Sequence, residues 1–267
     1  MYLRLRKVQA SIGRFPPTWP CRKVKIAVLS DIHGNIDALD AVLADVAARN
    51  VDLCVNLGDI LSGPLFPCET ADRLMALDLP TIRGNHERQL LTLAPDRMGA
   101  SDRATHDLLA PRHRDWIAAL PETLWLTDEM LMVHGTPGSD IDYWLETVEP
   151  TGLRAATEAE VEARAGGVVA PLILCGHTHV PRIHRRADGG LIVNPGSVGL
   201  PAYEDDRPWP HKVETGSPEA RYALVERMAD GWHAEIVLVA YDVERAAATA
   251  DARGRPDWAR ALRTGRM

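Results

Sequence analysis

The chain has 267 residues, 46% of them hydrophobic, which is enough to build the core of an α/β domain of this size. Its formal net charge of -7 argues against a protein that binds nucleic acid through a general basic surface. The four cysteines, Cys21, Cys54, Cys68 and Cys175, form no C-x-x-C pair, which argues against a disulfide framework and a thiolate zinc site.

The sequence indicates a cytoplasmic protein that does not associate with a membrane. No stretch approaches the ~18 apolar residues of a membrane span, and the N-terminus does not resemble a secretory signal. Residues 1–23 carry six basic residues and no acidic ones, and they lack periodicity. We expect this segment to be a flexible arm appended to the folded part, and an organelle-targeting segment is the alternative.

The first half of the chain alternates between strand and helix patterns. Residues 24–29, 52–57 and 80–83 read as buried strands, and residues 35–49 and 69–77 have the apolar spacing of helices. Alternating strands and helices predict a layered sheet that is rich in parallel pairs.

Further along the chain the pattern changes to short strands. Helical spacing over residues 86–120 is broken by two prolines and a glycine, which predicts several helices over the sheet. The later predicted strands are 124–126, 130–133, 171–175, 182–184, 191–193, 222–225 and 234–239, with one helix at 157–164. We expect a second, partly antiparallel sheet to contain these strands and to pack on the first. Residues 241–267 are Ala- and Arg-rich and predict a helical tail.

Metal-binding side chains follow the first three predicted strands directly. Asp31 and His33 come after the first strand, Asp59 after the second and Asn85 after the third. Side chains two residues apart project to the same face of an extended backbone, so Asp31 and His33 can bind one ion. Ligands of open α/β sheets collect beyond the carboxyl ends of the strands, where these residues are expected.

Three histidines extend this set in the second half of the chain. His134 follows the predicted strand 130–133, and His177 and His179 follow the predicted strand 171–175. A single Asp-x-His pair occurs by chance, but an ordered series of carboxylate, amide and imidazole ligands at successive strand ends predicts one assembled metal site.

The motifs resemble those of the calcineurin-like metallophosphoesterases, in the small bacterial-type phosphodiesterase and phosphatase branch. They are, in order, Asp31-x-His33, Gly58-Asp59, Gly84-Asn85-His86-Glu87, His134 and Gly176-His177-x-His179. The resemblance covers about residues 24–240, which we expect to form the domain, with residues 241–267 packed on it or trailing from it. It implies a four-layer α/β/β/α sandwich, in which two packed mixed sheets are flanked by helices.

The resemblance also implies two divalent ions and the residues that hold them. One ion is assigned to Asp31, His33, Asp59 and His179, and the other to Asp59, Asn85, His134 and His177. Asp59 is thus expected to bridge the two ions, since a carboxylate has two oxygens to share. Oxygen and nitrogen ligands without thiolate suit Mn, Fe, Zn, Ni or Co better than calcium, and Mn²⁺ is our first expectation.

The implied reaction is hydrolysis of a small phosphodiester or phosphomonoester by attack of a metal-bridging hydroxide. His86 is the family's catalytic histidine by position, which protonates or electrostatically favours the leaving-group oxygen, and a purely structural role is the alternative. We expect a small phosphate ester as the substrate and neither nucleic acid nor a membrane as a partner, with no expectation for the oligomeric state.

One departure from a family pattern affects His86. Protein Ser/Thr phosphatases of this superfamily carry Gly-Asp-x-x-Asp-Arg-Gly, whose second Asp orients that histidine and whose Arg holds phosphate. This chain has Ser62 and Gly63 at those positions. We therefore expect His86 to lack its usual partner, which argues against a phosphoprotein phosphatase.

Other functions sharing the metal core stay open. A dinucleoside-polyphosphate hydrolase or a protein phosphatase would use the same ligands. A catalytically silent scaffold of the same fold would be indicated by missing ligands, and none of the ligands is missing.

Arg83, Asn35 and Tyr143 are the candidate substrate contacts. Arg83 could instead form a structural salt bridge, and Asn35 could cap the first helix. Tyr143 and its neighbour Trp144 could stack against a base or an aryl leaving group, or they could anchor a long loop.

Overall fold

The structure is a computed structural model that describes residues 23–267. The predicted N-terminal arm, residues 1–23, therefore lies outside the described residues except for Lys23. The strands are β1 (Lys25–Leu29), β2 (Leu53–Asn56), β3 (Leu124–Thr127), β4 (Met130–Met132), β5 (Glu146–Glu149), β6 (Gly152–Ala155), β7 (Leu172–Leu174), β8 (Arg182–Arg185), β9 (Leu191–Asn194), β10 (Ala202–Asp205), β11 (His211–Glu214), β12 (Ala220–Met228) and β13 (Gly231–Val239).

The α-helices of the described residues surround these strands. They are α1 (Ile36–Ala48), α2 (Pro67–Leu77), α3 (Asn85–Thr92), α4 (Ala100–His106), α5 (Pro111–Ala119), α6 (Glu158–Arg164), α7 (Val243–Ala252) and α8 (Pro256–Thr264). Asn35 caps α1, because its side-chain oxygen accepts a hydrogen bond from the backbone N–H of Ala38.

The first sheet has the strand order β13-β12-β1-β2. β1 pairs in parallel with β2 and antiparallel with β12. The predicted third strand at 80–83 is reduced to a single bridge between Asn56 and Thr81.

The second sheet has the order β3-β4-β7-β9-β8 and is also mixed. Its core strands β4, β7 and β9 are parallel, whereas the outer strands β3 and β8 are antiparallel to their neighbours.

Side-chain alternation along the strands builds three packed interfaces. Ile26 and Val28 face the second sheet, while Ala27 and Leu29 pack against the helices that contain Leu39 and its neighbours. On the outer face of the second sheet, side chains of β4, β7 and β9 pack against Trp144 and α6. The predicted four-layer α/β/β/α sandwich is confirmed, and burial of each large apolar side chain stabilises it by about 1.5–3 kcal/mol.

The sheet expected for the last two predicted strands is wrong. Strands 222–225 and 234–239 were assigned to the second sheet, but β12 and β13 form a long hairpin that joins β1 in the first sheet. The two short hairpins β5–β6 and β10–β11 were not predicted. Side-chain alternation reports that a segment is extended, whereas its choice of sheet depends on contacts with residues far away in the chain.

The C-terminal helices pack on the body of the protein near the ends of the first strands. Ala246, Trp258 and Leu262 share one apolar cluster with Leu65 and Leu200. The ring of Trp258 also lies edge-on to the ring of His33, with 5.9 Å between their centroids. In residues 23–267, no helix combines the length and the apolar character that crossing a membrane requires.

Candidate metal centre

Six of the seven predicted ligands lie in loops that follow strands of both sheets, and Asn85 is the first residue of α3. Five of them have left-handed backbone, with φ of 54° at Asp31, 51° at His33, 51° at Asp59, 69° at His177 and 58° at His179. Residues other than glycine rarely adopt this conformation, which costs on the order of 1–3 kcal/mol each and is concentrated at functional sites. The fold holds these side chains in strained loops, an arrangement that the sequence does not reveal.

Asp31, His33 and His179 form the first buried cluster, with possible ligand atoms all within 4.8 Å of one another. His33 Nδ1–H donates to the carbonyl of Ser62 at 2.8 Å, and His179 Nδ1–H donates to the carbonyl of Leu200 at 2.7 Å. Because a carbonyl only accepts, these bonds leave both Nε2 atoms with lone pairs.

The lone pairs of this cluster face one another. His33 Nε2 and His179 Nε2 are 3.1 Å apart, and Asp31 Oδ1 lies 3.5 Å from His179 Nε2. Asp31 Oδ1 is buried and has no hydrogen-bond partner among residues 23–267. Buried acceptors that point at each other repel, so the arrangement fits a cation between them.

The second cluster contains Asp59, His134 and His177, again with possible ligand atoms within 4.8 Å. His134 Nδ1–H donates to the carbonyl of Leu57 at 2.8 Å, and its Nε2 lies 3.0 Å from Asp59 Oδ2. His177 differs from the other histidines, because its Nε2–H donates to the carbonyl of Ile141 at 3.0 Å and its Nδ1 faces the cluster.

The amide of Asn85 completes the second cluster. Its oxygen faces His177 Nδ1 at 3.0 Å, and Asp59 Oδ2 and His134 Nε2 both at 3.2 Å. Turning the amide over would place its nitrogen there as a hydrogen-bond donor. With a cation in the cluster, the oxygen as placed is a suitable ligand, and no reversal is needed.

Burial and neighbouring charges set the protonation of these groups in the cation-free protein. Burial and the nearby His179 lower the pKa of His33 to about 3, and burial and the nearby His134 lower the pKa of His177 to about 4. Both imidazoles are therefore neutral, the state that ligates a metal. Burial also opposes a charge on His134, but the Asp59 carboxylate outweighs it and raises the pKa of His134 to about 9.

His86 stands beside the second cluster and has a carboxylate partner. Its Nδ1–H donates to Asp102 Oδ1 at 2.7 Å, and its Nε2 lies 4.0 Å from Asp59 Oδ2. Burial disfavours the imidazolium, but the Asp59 and Asp102 carboxylates outweigh it and raise the pKa of His86 to about 10. The motif carboxylate is absent at position 62, as expected, but His86 is not without a carboxylate partner, because α4 supplies Asp102 from 40 residues beyond Ser62.

A family model for the calcineurin-like phosphoesterase superfamily domain matches residues 24–210. The chain belongs to this superfamily. The family is metal-dependent, and the two clusters are candidate metal-binding groups of this metallophosphoesterase.

A solved structure and a curated protein are similar to this chain along most of its length. The crystal structure of a metallophosphoesterase from Sphaerobacter thermophilus is 25% identical, with a TM-score of 0.70, and the match covers 90% of this chain and 98% of that chain. An uncharacterized protein of Methanocaldococcus jannaschii is 25% identical over 258 residues, which cover 88% of this chain and 96% of that protein.

The three predicted substrate contacts of the metallophosphoesterase have different surroundings. The guanidinium of Arg83 pairs with Glu122, as expected of a structural salt bridge. Asn35 is fully buried, and its amide nitrogen donates to the carbonyl of Gly199 at 2.9 Å and to Tyr241 Oη at 3.1 Å. The predicted substrate contact at Asn35 is therefore wrong, because its side chain is committed to the interior.

Tyr143 lies beside the second cluster, and Trp144 does not. The ring of Tyr143 meets the ring of His177 edge-on, with 5.2 Å between centroids, and its hydroxyl lies 2.6 Å from Tyr203 Oη and 3.0 Å from His211 Nε2. Trp144 is buried on the outer face of the second sheet and donates to the carbonyl of Val161 at 3.0 Å, so it anchors the loop.

Sequence reasoning missed the function of Glu87. Its buried carboxylate accepts hydrogen bonds from the backbone N–H groups of Asp59, Ile60 and Gly84, at 2.9, 2.8 and 3.0 Å. It thereby joins the loop that carries Asp59 to the loop that carries Asn85. The capping pattern of α3 was the available signal, since Glu87 stands at the third position of that helix.

Proposed function

We propose that the chain is a hydrolase of small phosphate esters that holds two divalent ions at neighbouring buried clusters. One observation carries the proposal: His33 Nε2 and His179 Nε2 present lone pairs to each other at 3.1 Å, beside a carboxylate oxygen of Asp31 with no partner in residues 23–267. Such an arrangement is costly unless a cation occupies it.

The proposed ligands are the ones expected from the motifs. One ion is held by Asp31, His33, Asp59 and His179, and the other by Asp59, Asn85, His134 and His177. The separation into two clusters supports this division. Imidazole, carboxylate and amide donors favour Mn²⁺, with Fe, Zn, Ni and Co as alternatives.

When bound, a pair of divalent ions lowers the pKa of water from 15.7 to about 7 and neutralises charge on phosphoryl oxygens. The residues of the chain supply the remaining functions. Hydrogen bonds from the ring N–H groups to main-chain carbonyls fix the orientation of the four histidine ligands. We propose that His86, whose side chain is 26% exposed beside Asp59, protonates the leaving-group oxygen.

The competing functions differ in what they require. A silent scaffold has no need of two complete clusters of ligands, most of them buried and five of them with strained backbone. For a phosphoprotein phosphatase, Asp102 removes one objection, but the phosphate-binding Arg of the motif is still replaced by Gly63. Product analysis on a phosphopeptide and on a diadenosine polyphosphate distinguishes these enzymes from one acting on small esters.

Substitution of a ligand tests the proposal. Mn²⁺-loaded wild-type protein is expected to hydrolyse p-nitrophenyl phosphate or bis(p-nitrophenyl) phosphate. Asp59→Asn and His134→Ala are each expected to lower kcat by about 10³-fold or more, because several kcal/mol of charge stabilisation are lost. Asp230→Asn and His233→Ala change an exposed ion pair and serve as matched controls with wild-type rates. Sustained hydrolysis in both ligand variants contradicts the proposal.

A further inference from the structure

Helix α4 contributes the carboxylate of Asp102 to the candidate site, although Asp102 belongs to none of the metal-binding motifs. Asp102 is 1% exposed, and its Oδ1 accepts from His86 Nδ1–H and from the Ser62 hydroxyl, both at 2.7 Å. Thr105 lies one turn later on the same face of α4, and its hydroxyl accepts from the backbone N–H of Gly63 at 2.9 Å. Two side chains of α4 thus fix the loop at 62–63.

The same loop also fixes a proposed metal ligand. The backbone carbonyl of Ser62 accepts from His33 Nδ1–H at 2.8 Å, while the hydroxyl of Ser62 donates to Asp102. The position of His86 is therefore tied, through Asp102 and Ser62, to the position of the first cluster. A rigid link of this kind holds a proton donor at a fixed place relative to bound substrate.

The energetics of Asp102 argue against a merely structural function. Its second oxygen, Oδ2, is buried and has no hydrogen-bond partner within the part of the chain that the structure describes. A buried oxygen without a partner destabilises the fold, and a neutral side chain could hold Ser62 without that penalty. A carboxylate is useful here because it accepts from His86 Nδ1–H and so fixes the ring with Nε2 on the side of Asp59.

We infer that Asp102 is a positioning residue that replaces the carboxylate missing at position 62 and directs the Nε2 proton of His86 at the leaving-group oxygen. The inference rests on the proposed function and specifies its substrate class. A leaving group that departs as a basic alkoxide, such as an alkyl, sugar or nucleoside oxygen, needs this proton, whereas an acidic aryl oxygen does not. The substrates of the enzyme are therefore esters of aliphatic alcohols.

Hydrolysis forms one P–O bond and breaks another. Water supplies the oxygen of the new P–O bond and releases one proton to the solvent. The bond between phosphorus and the leaving oxygen breaks, the oxygen keeps the electron pair, and His86 Nε2–H transfers its proton to it. Asp102 keeps its hydrogen bond to Nδ1–H throughout, and a solvent proton restores His86. The products are an alcohol and a phosphate with one fewer ester bond.

The test compares phosphate esters that differ only in the leaving group, from p-nitrophenyl through phenyl to alkyl. Mono- or diesters are used according to which class the wild-type enzyme hydrolyses with Mn²⁺. Asp102→Asn is expected to lower kcat by about 10²-fold on the alkyl ester and by less than about 5-fold on the p-nitrophenyl ester, since general acid catalysis contributes about 10²–10⁴-fold. Asp107→Asn, an exposed change at the end of the same helix, is the matched control.

Two further variants exclude a failure of folding. Ser62→Ala keeps every charge and removes one donor to Asp102. Its kcat on the alkyl ester is therefore expected to fall about 5-fold, with a smaller fall on the p-nitrophenyl ester. In a protein that already carries His86→Ala, Asp102→Asn is expected to lower kcat on the alkyl ester no further, because Asp102 acts through His86. Circular dichroism and bound Mn²⁺ are measured for every variant.

Each other result overturns the inference. Asp102 has only a structural function if Asp102→Asn lowers kcat equally on aryl and alkyl esters or does not lower it at all. The same conclusion follows if both Asp102→Asn and Ser62→Ala lose bound metal. Additive losses with His86→Ala show that Asp102 does not act through this histidine. If the wild-type protein hydrolyses no ester with any metal, the proposed function itself fails, a result distinct from a change in leaving-group selectivity.

Discussion

At the scale of single residues, one buried carboxylate decides whether two ligand loops stay together. Glu87 accepts three short hydrogen bonds from backbone N–H groups and a fourth from Leu61 at 3.3 Å. In Glu87→Gln one oxygen becomes an amide nitrogen, which opposes two of these buried donors. Each unsatisfied donor costs about 1–3 kcal/mol, so the free energy of unfolding is expected to fall by about 2–6 kcal/mol.

Urea denaturation of the metal-free protein measures this loss, and the bound Mn²⁺ is expected to fall with it. Glu158→Gln, on the exposed first turn of α6, is the matched control and should change stability by less than about 1 kcal/mol. A loss in Glu87→Gln no larger than that of the control contradicts this structural function.

His134 makes metal binding depend on pH. Asp59 raises the pKa of this imidazole to about 9 in the cation-free protein, whereas a metal ligand must be neutral. An incoming ion therefore displaces a proton, and below pH 9 the apparent affinity for Mn²⁺ is expected to fall by up to about tenfold for each unit of decreasing pH. Titration calorimetry in buffers of different ionisation enthalpy measures the proton release, and binding without release contradicts the prediction.

At the scale of elements, the C-terminal helices support the first cluster. Trp258 of α8 is 5% exposed and lies against the ring of His33, and a Cβ added at Gly63 would be only 2.5 Å from the Trp258 ring. Trp258→Ala leaves a cavity behind His33 and is expected to cost about 3–5 kcal/mol of stability. It should also weaken Mn²⁺ binding. Thermal melting with and without Mn²⁺ measures both effects.

The matched control is Trp209→Ala, since the side chain of Trp209 is 49% exposed. Its substitution should leave the melting temperature and the affinity for Mn²⁺ close to those of the wild type. If Trp258→Ala changes the melting temperature and the affinity for Mn²⁺ as little as this control does, the C-terminal helices do not support the first cluster.

Elements were predictable from sequence where local pattern decides the structure. Side-chain periodicity identified β1, α1 and β2, and the motifs that end the strands identified the residues of both clusters. Asp102 was missed because its two contacts join residues 16 and 40 positions apart, and no short motif records such a distance. The sheet of β12 was misassigned for the same reason, since its pairing with β1 spans almost 200 residues of the chain.

At the scale of the whole molecule, each candidate cluster joins the two sheets of the sandwich. Asp31 and Asp59 follow strands of the first sheet, whereas His134, His177 and His179 follow strands of the second. The backbone reinforces this junction, because the N–H of Gly199, in the segment after β9, donates to the carbonyl of Asp31 at 3.0 Å. An ion bound in either cluster therefore connects both halves of the fold and should stabilise the whole protein.

Removal of the metal is accordingly expected to lower the melting temperature of the whole molecule. An ion at about 100 times its Kd adds about 2.7 kcal/mol to the stability, and 1 kcal/mol corresponds to about 2–4 °C in proteins of 150–250 residues. Mn²⁺ should therefore raise the midpoint by about 5–10 °C over protein treated with EDTA, and Ca²⁺ by less, because imidazole ligands suit it poorly. Asp59→Asn should reduce the increase in melting temperature caused by Mn²⁺, since it replaces the carboxylate assigned to both ions with an amide. The control Asp230→Asn should keep the full increase. Equal midpoints with Mn²⁺ and EDTA would show that neither cluster binds an ion across the two sheets.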